Sequence, residues 1–166
     1  MGKLEGKVAF LTGGGAGIAK ATAKLYVKEG AKVALIELNR EVGAAAAREI
    51  RETGGQALFV ETDVTQDDSV RRAVAATVEH FGGLDILFNC AGGSLQEDVP
   101  VHEMDLDVWQ RTIALNLLHP FLTCRHAIPH MMKAGGGAIV NVTSHLGLMG
   151  SMKPAYAATK GGIISF

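Results

Sequence analysis

Cysteine is scarce in this chain: Cys90 and Cys124 are the only two among 166 residues. Two isolated thiols make no disulfide framework, and the expected setting is a reducing cytoplasm. An excess of either charge is also missing, with 16 Lys and Arg against 17 Asp and Glu and a net charge of −1. No block of Lys or Arg stands out, which argues against nucleic acid and anionic membrane surfaces as partners. Long apolar runs are absent, so no segment suits a bilayer span, and "MGKLEGKVAF" has no signal-peptide core. What the composition leaves is a single globular domain, 1–166, long enough to bury a sizeable core.

Glycine is what the chain has in quantity, at 21 residues. The glycines fall in clusters (13–15, 54–55, 82–83, 92–93, 135–137, 161–162) between apolar segments, which is the punctuation of a compact fold rather than of a linker. "KVAFLT" (7–12), "KVALIE" (32–37), "QALFVETD" (56–63), "LDILFN" (84–89) and "GAIVNVTS" (137–144) read as strands. Helix-like stretches separate them. One is closed by Gly30, and an Ala-rich one ends at Gly54. A third carries Asp67 and Asp68 at its positive end. A long region over 105–132 is expected to break near His119-Pro120, and a last helix is expected to begin near Pro154. Strand–helix alternation with strands apolar on both faces predicts a doubly wound parallel α/β sheet of about five strands. In such sheets ligands bind beyond the C-terminal strand ends.

Each of those ends carries residues of interest. After the first strand, "TGGGAGIA" opens a helix, where backbone N–H groups and the helix dipole suit a pyrophosphate; a mere tight turn is the other reading, since no register gives G-x-G-x-x-G. The second strand ends in Glu37, about twenty residues beyond Gly17, the distance at which a dinucleotide site places its acidic ribose-binding group. Its charge would repel a 2′-phosphate and so favours NAD over NADP; the rival reading is a solvated carboxylate, with Arg40 close by. Beyond the third strand, Asp63 and Val64 suit an adenine edge and face, or a turn. "NCAGG" (89–93) offers a small-residue turn to a flat ligand.

Beyond the fifth strand come Thr143-Ser144 and then "KPAYAATK". Tyr156 and Lys160 at i and i+4 share one helix face. An ammonium beside a phenol favours the phenolate and lowers its pKa from about 10, which would let Tyr156 move a proton near neutral pH. A Ser144 hydroxyl in the same place would hold a substrate oxygen. The bland reading of such a pair is an ordinary polar surface.

Taken in order, these segments resemble the short-chain dehydrogenase/reductase family along the whole chain. "TGGGAGIA" resembles its T-G-x-x-x-G-x-G turn and "NCAG" its N-N-A-G turn. Asn116 in "IALNLLHPF" falls at the family's catalytic Asn, "IVNVTSHLG" matches the strand with the catalytic Ser, and "YAATK" is the Tyr-x-x-x-Lys. The resemblance implies a Rossmann-like NAD(P)-binding domain and hydride transfer between NAD(H) and an alcohol or ketone. Tyr156 is then the general acid/base and a cofactor-binding residue, and Lys160 is its cationic partner and a binder of nicotinamide-ribose hydroxyls. Ser144 holds the reacting oxygen, and Asn116 holds a relay water. Gly13, Gly17 and Ile18 shape the pyrophosphate turn. Glu37, Asp63, Val64 and Asn89 line the adenosine side, with Ala91 and Gly92 beside the cofactor. A homo-oligomer is the implied state of a full-length relative.

Three departures accompany the resemblance. Ala19 replaces the last Gly of the turn, which is expected to loosen helix–strand packing. Cys90 replaces an Asn, removing an amide that would brace its turn. The family's last strands are lacking after Phe166, so a fragment of a longer reductase is expected, with the fifth strand at a sheet edge. An acyl-carrier-protein ketoreductase using NADPH is an alternative that Glu37 opposes, and a dinucleotide-binding module without catalysis is another. No metal site is expected: His126 and His130 lie near Cys124, but the nearby sequence supplies no carboxylate or second Cys for a zinc set. His145 lines a substrate pocket or sits in a plain loop.

Overall fold

The computed structural model describes residues 2–166. Branched and large apolar side chains form five strands: β1 (Val8–Thr12), β2 (Lys32–Glu37), β3 (Ala57–Glu61), β4 (Ile86–Asn89) and β5 (Ala138–Asn141). All pair in parallel, in the order β3-β2-β1-β4-β5. The chain builds outward from β1 to β3, then returns to lay β4 on the other side of β1. That reversal is the switch point at which the loops on either side diverge and leave a crevice.

Helices cover both faces, and strand alternation decides which residue meets which helix. Phe10, Ala34, Ile36 and Leu87 point to the layer of α3 (Asp67–Phe81) and α5 (His119–Lys133), against Val70, Val74, Leu122 and Met131. Leu11, Val33, Leu35 and Phe88 point to α1 (Gly17–Lys28) and α2 (Arg40–Glu52). There the helices present alanines, Ala19, Ala23, Ala46 and Ala47, so their backbones approach the sheet closely. Each fully buried Leu, Ile or Phe contributes about 1.5–3 kcal/mol, which makes this doubly covered sheet the rigid base of the site.

The interruption expected near His119-Pro120 takes the form of a π-helical turn rather than a gap between helices. Helix α4 (Leu106–Ile113) runs through a π-helical turn (Ala114–Leu118) directly into α5. The reason lies in Pro120, which has no N–H and whose ring would strike the carbonyl of Asn116 in a regular α-helix. A π turn widens the helix before the proline, as the His119 N–H donating to the Ala114 carbonyl shows. Asn116 sits in this turn. The last helix, α6 (Pro154–Ser165), follows β5 after a 3₁₀ turn at His145–Leu148. Strand β5 is an edge of this sheet, with Ile139 and Val140 exposed. Among the described residues, no helix is long and apolar enough to cross a membrane.

Candidate active site

A cavity of about 570 Å³ opens beyond the C-terminal ends of β1, β2, β3 and β4, at the switch point. Gly13, Gly17, Ile18, Glu37, Asp63, Val64, Ala91 and Gly92 all line it. The turn after β1 adopts a left-handed backbone at Gly13, with φ 67°, and a Cβ there would lie 3.2 Å from the Ala91 backbone. Helix α1 then starts with Ala16 at its N-cap, no side-chain cap and no acidic residue in its first turn. Its leading N–H groups therefore face the cavity without a side-chain acceptor, which suits an anion. Ile18 is 65 % exposed on this rim.

Glu37 is held at the cavity mouth by three backbone donors. Its Oε1 accepts from Leu38 N at 3.0 Å and Asn39 N at 3.1 Å, and Oε2 from Gly15 N at 3.3 Å. Arg40 turns away, its Nε 3.8 Å from Glu61 Oε2. Asp63 uses Oδ1 to accept from Thr65 N at 2.9 Å and Thr65 Oγ1 at 2.7 Å, an Asx turn that faces the cavity beside Val64.

The turn after β4 is fastened by two buried side chains. Thr12 Oγ1 accepts from Cys90 N at 2.9 Å and from Ala91 N at 3.1 Å. Both lone pairs are thus filled, so the Thr12 proton goes to His119 Nε2, 3.0 Å away. That fixes the imidazole as the neutral Nδ1–H tautomer, donating to Leu115 O at 3.1 Å. Burial, first, and the Lys160 charge hold the His119 pKa down at about 4, although the Leu115 carbonyl favours the cation. The ordinary value of 6.5 applies to the unfolded chain. Between those two values the unfolded state takes up a proton that the folded state does not, so stability falls as pH drops from about 6.5 to about 4. The full span corresponds to about 3 kcal/mol. Urea unfolding at pH 7 and pH 4.5 is expected to show this loss, and His119→Gln is expected to remove that part of the pH dependence.

Helix α6 is stitched to the end of β5 at Lys160. Lys160 Nζ donates to Val142 O at 2.7 Å, and Thr143 Oγ1 donates to Lys160 O at 2.7 Å. Ser144 follows immediately; its Oγ accepts from Leu146 N at 3.3 Å, which leaves the hydroxyl proton free to donate. Tyr156 lies one turn before Lys160, whose ammonium is 5.7 Å from the phenol ring centroid. Lys160 is 4 % exposed, and burial pushes its ammonium below the ordinary lysine value. Gly92 brings the β4 turn to the same place. With φ 151°, it allows an approach in which a Cβ would sit 2.6 Å from Asn116 Oδ1 and 3.6 Å from Lys160 Nζ.

Asn116 is buried, and its amide is committed to the protein. Nδ2 donates to Gly93 O at 3.0 Å and Thr112 O at 3.1 Å, while Oδ1 accepts from Gly93 N at 2.9 Å. Asn89 departs from expectation. It is 2 % exposed and does not line the cavity; its amide points into the sheet, donating to Asn141 Oδ1 at 2.8 Å and accepting from Thr123 Oγ1 at 2.7 Å. A strand residue at an inward position cannot also serve the rim, so Asn89 ties β4 to β5 and α5 instead. The loosening expected at Ala19 is also absent: Ala19 is fully packed in the core. Nor does Cys90 leave its turn unbraced, because Thr12 and Asn116 hold the backbone. The Cys90 thiol lines the cavity with its pKa raised by burial. His126 is paired with Asp67 at 2.8 Å, and His145 is exposed at the start of the 3₁₀ turn.

Three functional residues carried no signal of their own in the sequence. Thr12 opens a motif whose glycines carried the reading, with nothing to mark its hydroxyl as a hub, and His119 is one of six histidines. Asp98 sits in the loop after β4 yet is 0 % exposed, accepting from Ala155 N at 3.2 Å and Tyr156 N at 2.9 Å. One carboxylate among several in a polar loop gives no spacing by which to find it.

Comparison with known proteins places this arrangement in context. A family model described as short chain dehydrogenase matches residues 7–166. The chain is 40 % identical over 166 residues to the 2,5-dichloro-2,5-cyclohexadiene-1,4-diol dehydrogenase LinX of Sphingobium indicum, covering 97 % of this chain and 64 % of that protein. It is 37 % identical over 163 residues to D-threitol dehydrogenase of Mycolicibacterium smegmatis, covering 98 % and 62 %. A crystal structure of NAD+-bound xylitol dehydrogenase superposes with a TM-score of 0.93 at 35 % identity, covering 98 % of this chain and 63 % of that one. The chain thus spans about three fifths of the length of the relatives it matches.

Proposed function

Because this chain belongs to the short-chain dehydrogenase family, we propose that it serves hydride transfer between NAD(H) and an alcohol or ketone. The observation that carries the reading is the stitching of Lys160 to Val142 and Thr143 at the end of β5, next to Ser144 in the chain, with its ammonium near the Tyr156 ring and the Gly92 turn. The nicotinamide supplies the hydride chemistry when bound. The residues present fit it: uncapped N–H groups of α1 for the pyrophosphate, Glu37 for the adenosine ribose, and the free Asp63 oxygen for an adenine amino group.

The chain's own part is binding and proton handling. Ser144 donates its free hydroxyl proton to the reacting oxygen. Tyr156 exchanges a proton with that oxygen, and the adjacent Lys160 ammonium supports the negative charge left on the phenol. Lys160 spends one donor on Val142 O and offers the others to ribose hydroxyls. The water-holding role of Asn116 falls to its carbonyl, because Pro120 has no N–H to donate to it and the side chain is already used. The relatives LinX, D-threitol dehydrogenase and xylitol dehydrogenase are all named for alcohols, which supports an alcohol as substrate.

Dinucleotide binding without turnover is the second reading, since every residue lining the cavity falls between Gly13 and Leu115, and neither Tyr156 nor Lys160 is among them. Titration with NADH and NADPH tests the binding half. NADH is expected to bind at least about tenfold tighter, because Glu37 repels a 2′-phosphate, and Glu37→Ser is expected to narrow the gap. Tighter NADPH binding would overturn the NAD assignment. NADH formation from NAD+ and a secondary alcohol separates the catalytic reading from the second one.

A further inference from the structure

We propose that Asp98 and Lys153 form a two-way clamp by which the loop after β4 sets the position of Tyr156, making both of them positioning residues for the reaction proposed above. Helix α6 opens at Pro154, which has no N–H, and Lys153 at the N-cap makes no side-chain cap. The first donors that need acceptors are therefore Ala155 N and Tyr156 N. Asp98 supplies both acceptors, one carboxylate oxygen to each, from far along the chain. The return half is Lys153, whose Nζ donates to Gln96 O at 3.0 Å and Leu95 O at 3.4 Å. Leu95 O also accepts from Asp98 N at 3.2 Å, so one carbonyl serves both halves.

Burying a carboxylate completely is costly unless its oxygens are bonded and a favourable field surrounds them. Here two N–H donors and the positive end of α6 offset that cost. The placement matters more than the cap itself. A local cap would leave α6 independent of the loop; this one makes the backbone of Tyr156 move with residues 95–98. A substrate or partner that reorders the loop is then felt directly at the phenol.

Amide hydrogen exchange tests the clamp in the intact protein. Asp98→Asn sets an NH₂ group against one backbone donor, so exchange at Ala155 and Tyr156 is expected to quicken at least about tenfold, while amides lining the dinucleotide cavity keep their protection. Lys153→Met keeps the stem and loses both donors; the same two amides are expected to quicken, by less. In turnover, Asp98→Asn is expected to lower kcat by about ten- to a hundredfold with the KM for NAD+ within about twofold, the signature of displaced chemistry rather than lost binding. Unchanged exchange at both amides in folded Asp98→Asn overturns the proposal. Where that variant does not fold, Lys153→Met decides it on the same two amides. Wild-type protein without any turnover refutes the hydride-transfer reading and leaves the exchange result to judge the clamp.

Discussion

Tyr156→Phe is expected to lower kcat by about 10²–10⁴-fold and to leave NADH affinity within about twofold. The substitution removes one oxygen and its proton while keeping the ring, so the packing beneath the Lys160 ammonium, 5.7 Å from the ring centroid, is preserved. Affinity is spared because Tyr156 is not among the residues that line the dinucleotide cavity. Steady-state kinetics with a fluorescence titration of NADH measure both halves. Equal loss of binding and turnover would mean that the residue supports the fold rather than the proton transfer. Retained turnover would remove it from the chemistry altogether.

Thr12→Val is expected to cost about 3–5 kcal/mol of stability, more than its size suggests. The methyl that replaces the hydroxyl fits the same space, yet three partners lose their bond: the part-buried Cys90 N and Ala91 N and the buried His119 Nε2. Each orphaned group costs about 1–3 kcal/mol. Denaturant unfolding of the purified protein checks the figure. The loss should be felt first at the turn 90–93, where Gly93 is held only by Asn116 on the other side. A near-neutral result would show that water replaces the hydroxyl and that the hub is dispensable.

Much of the fold was legible because the signals that build it are local. Runs such as "KVALIE" have few alternatives to a buried parallel strand, and Gly30 and Gly82 stop their helices by backbone freedom alone. The rim residues Gly13, Gly17, Glu37, Asp63 and Val64 were legible because strand ends fix their location, whatever the side chain does afterwards. Asn89 shows where that logic stops: at a strand's last residue, one position separates the rim from the interior, and an amide fits either. The π turn was illegible because proline marks a helix start, a break and a π bulge with the same letter. Asp98 was hidden for another reason. Its partners lie on α6, and no pattern within the loop records an acceptor needed far along the chain.

A crystal structure of the protein with NAD+ bound tests the central claim most directly. The expected result is a pyrophosphate against the N–H groups opening α1, adenosine-ribose hydroxyls on Glu37, and the nicotinamide ring beside Tyr156 and Lys160. A dinucleotide lying outside the cavity beyond β1 and β4, or one whose nicotinamide end points away from Tyr156, would contradict it.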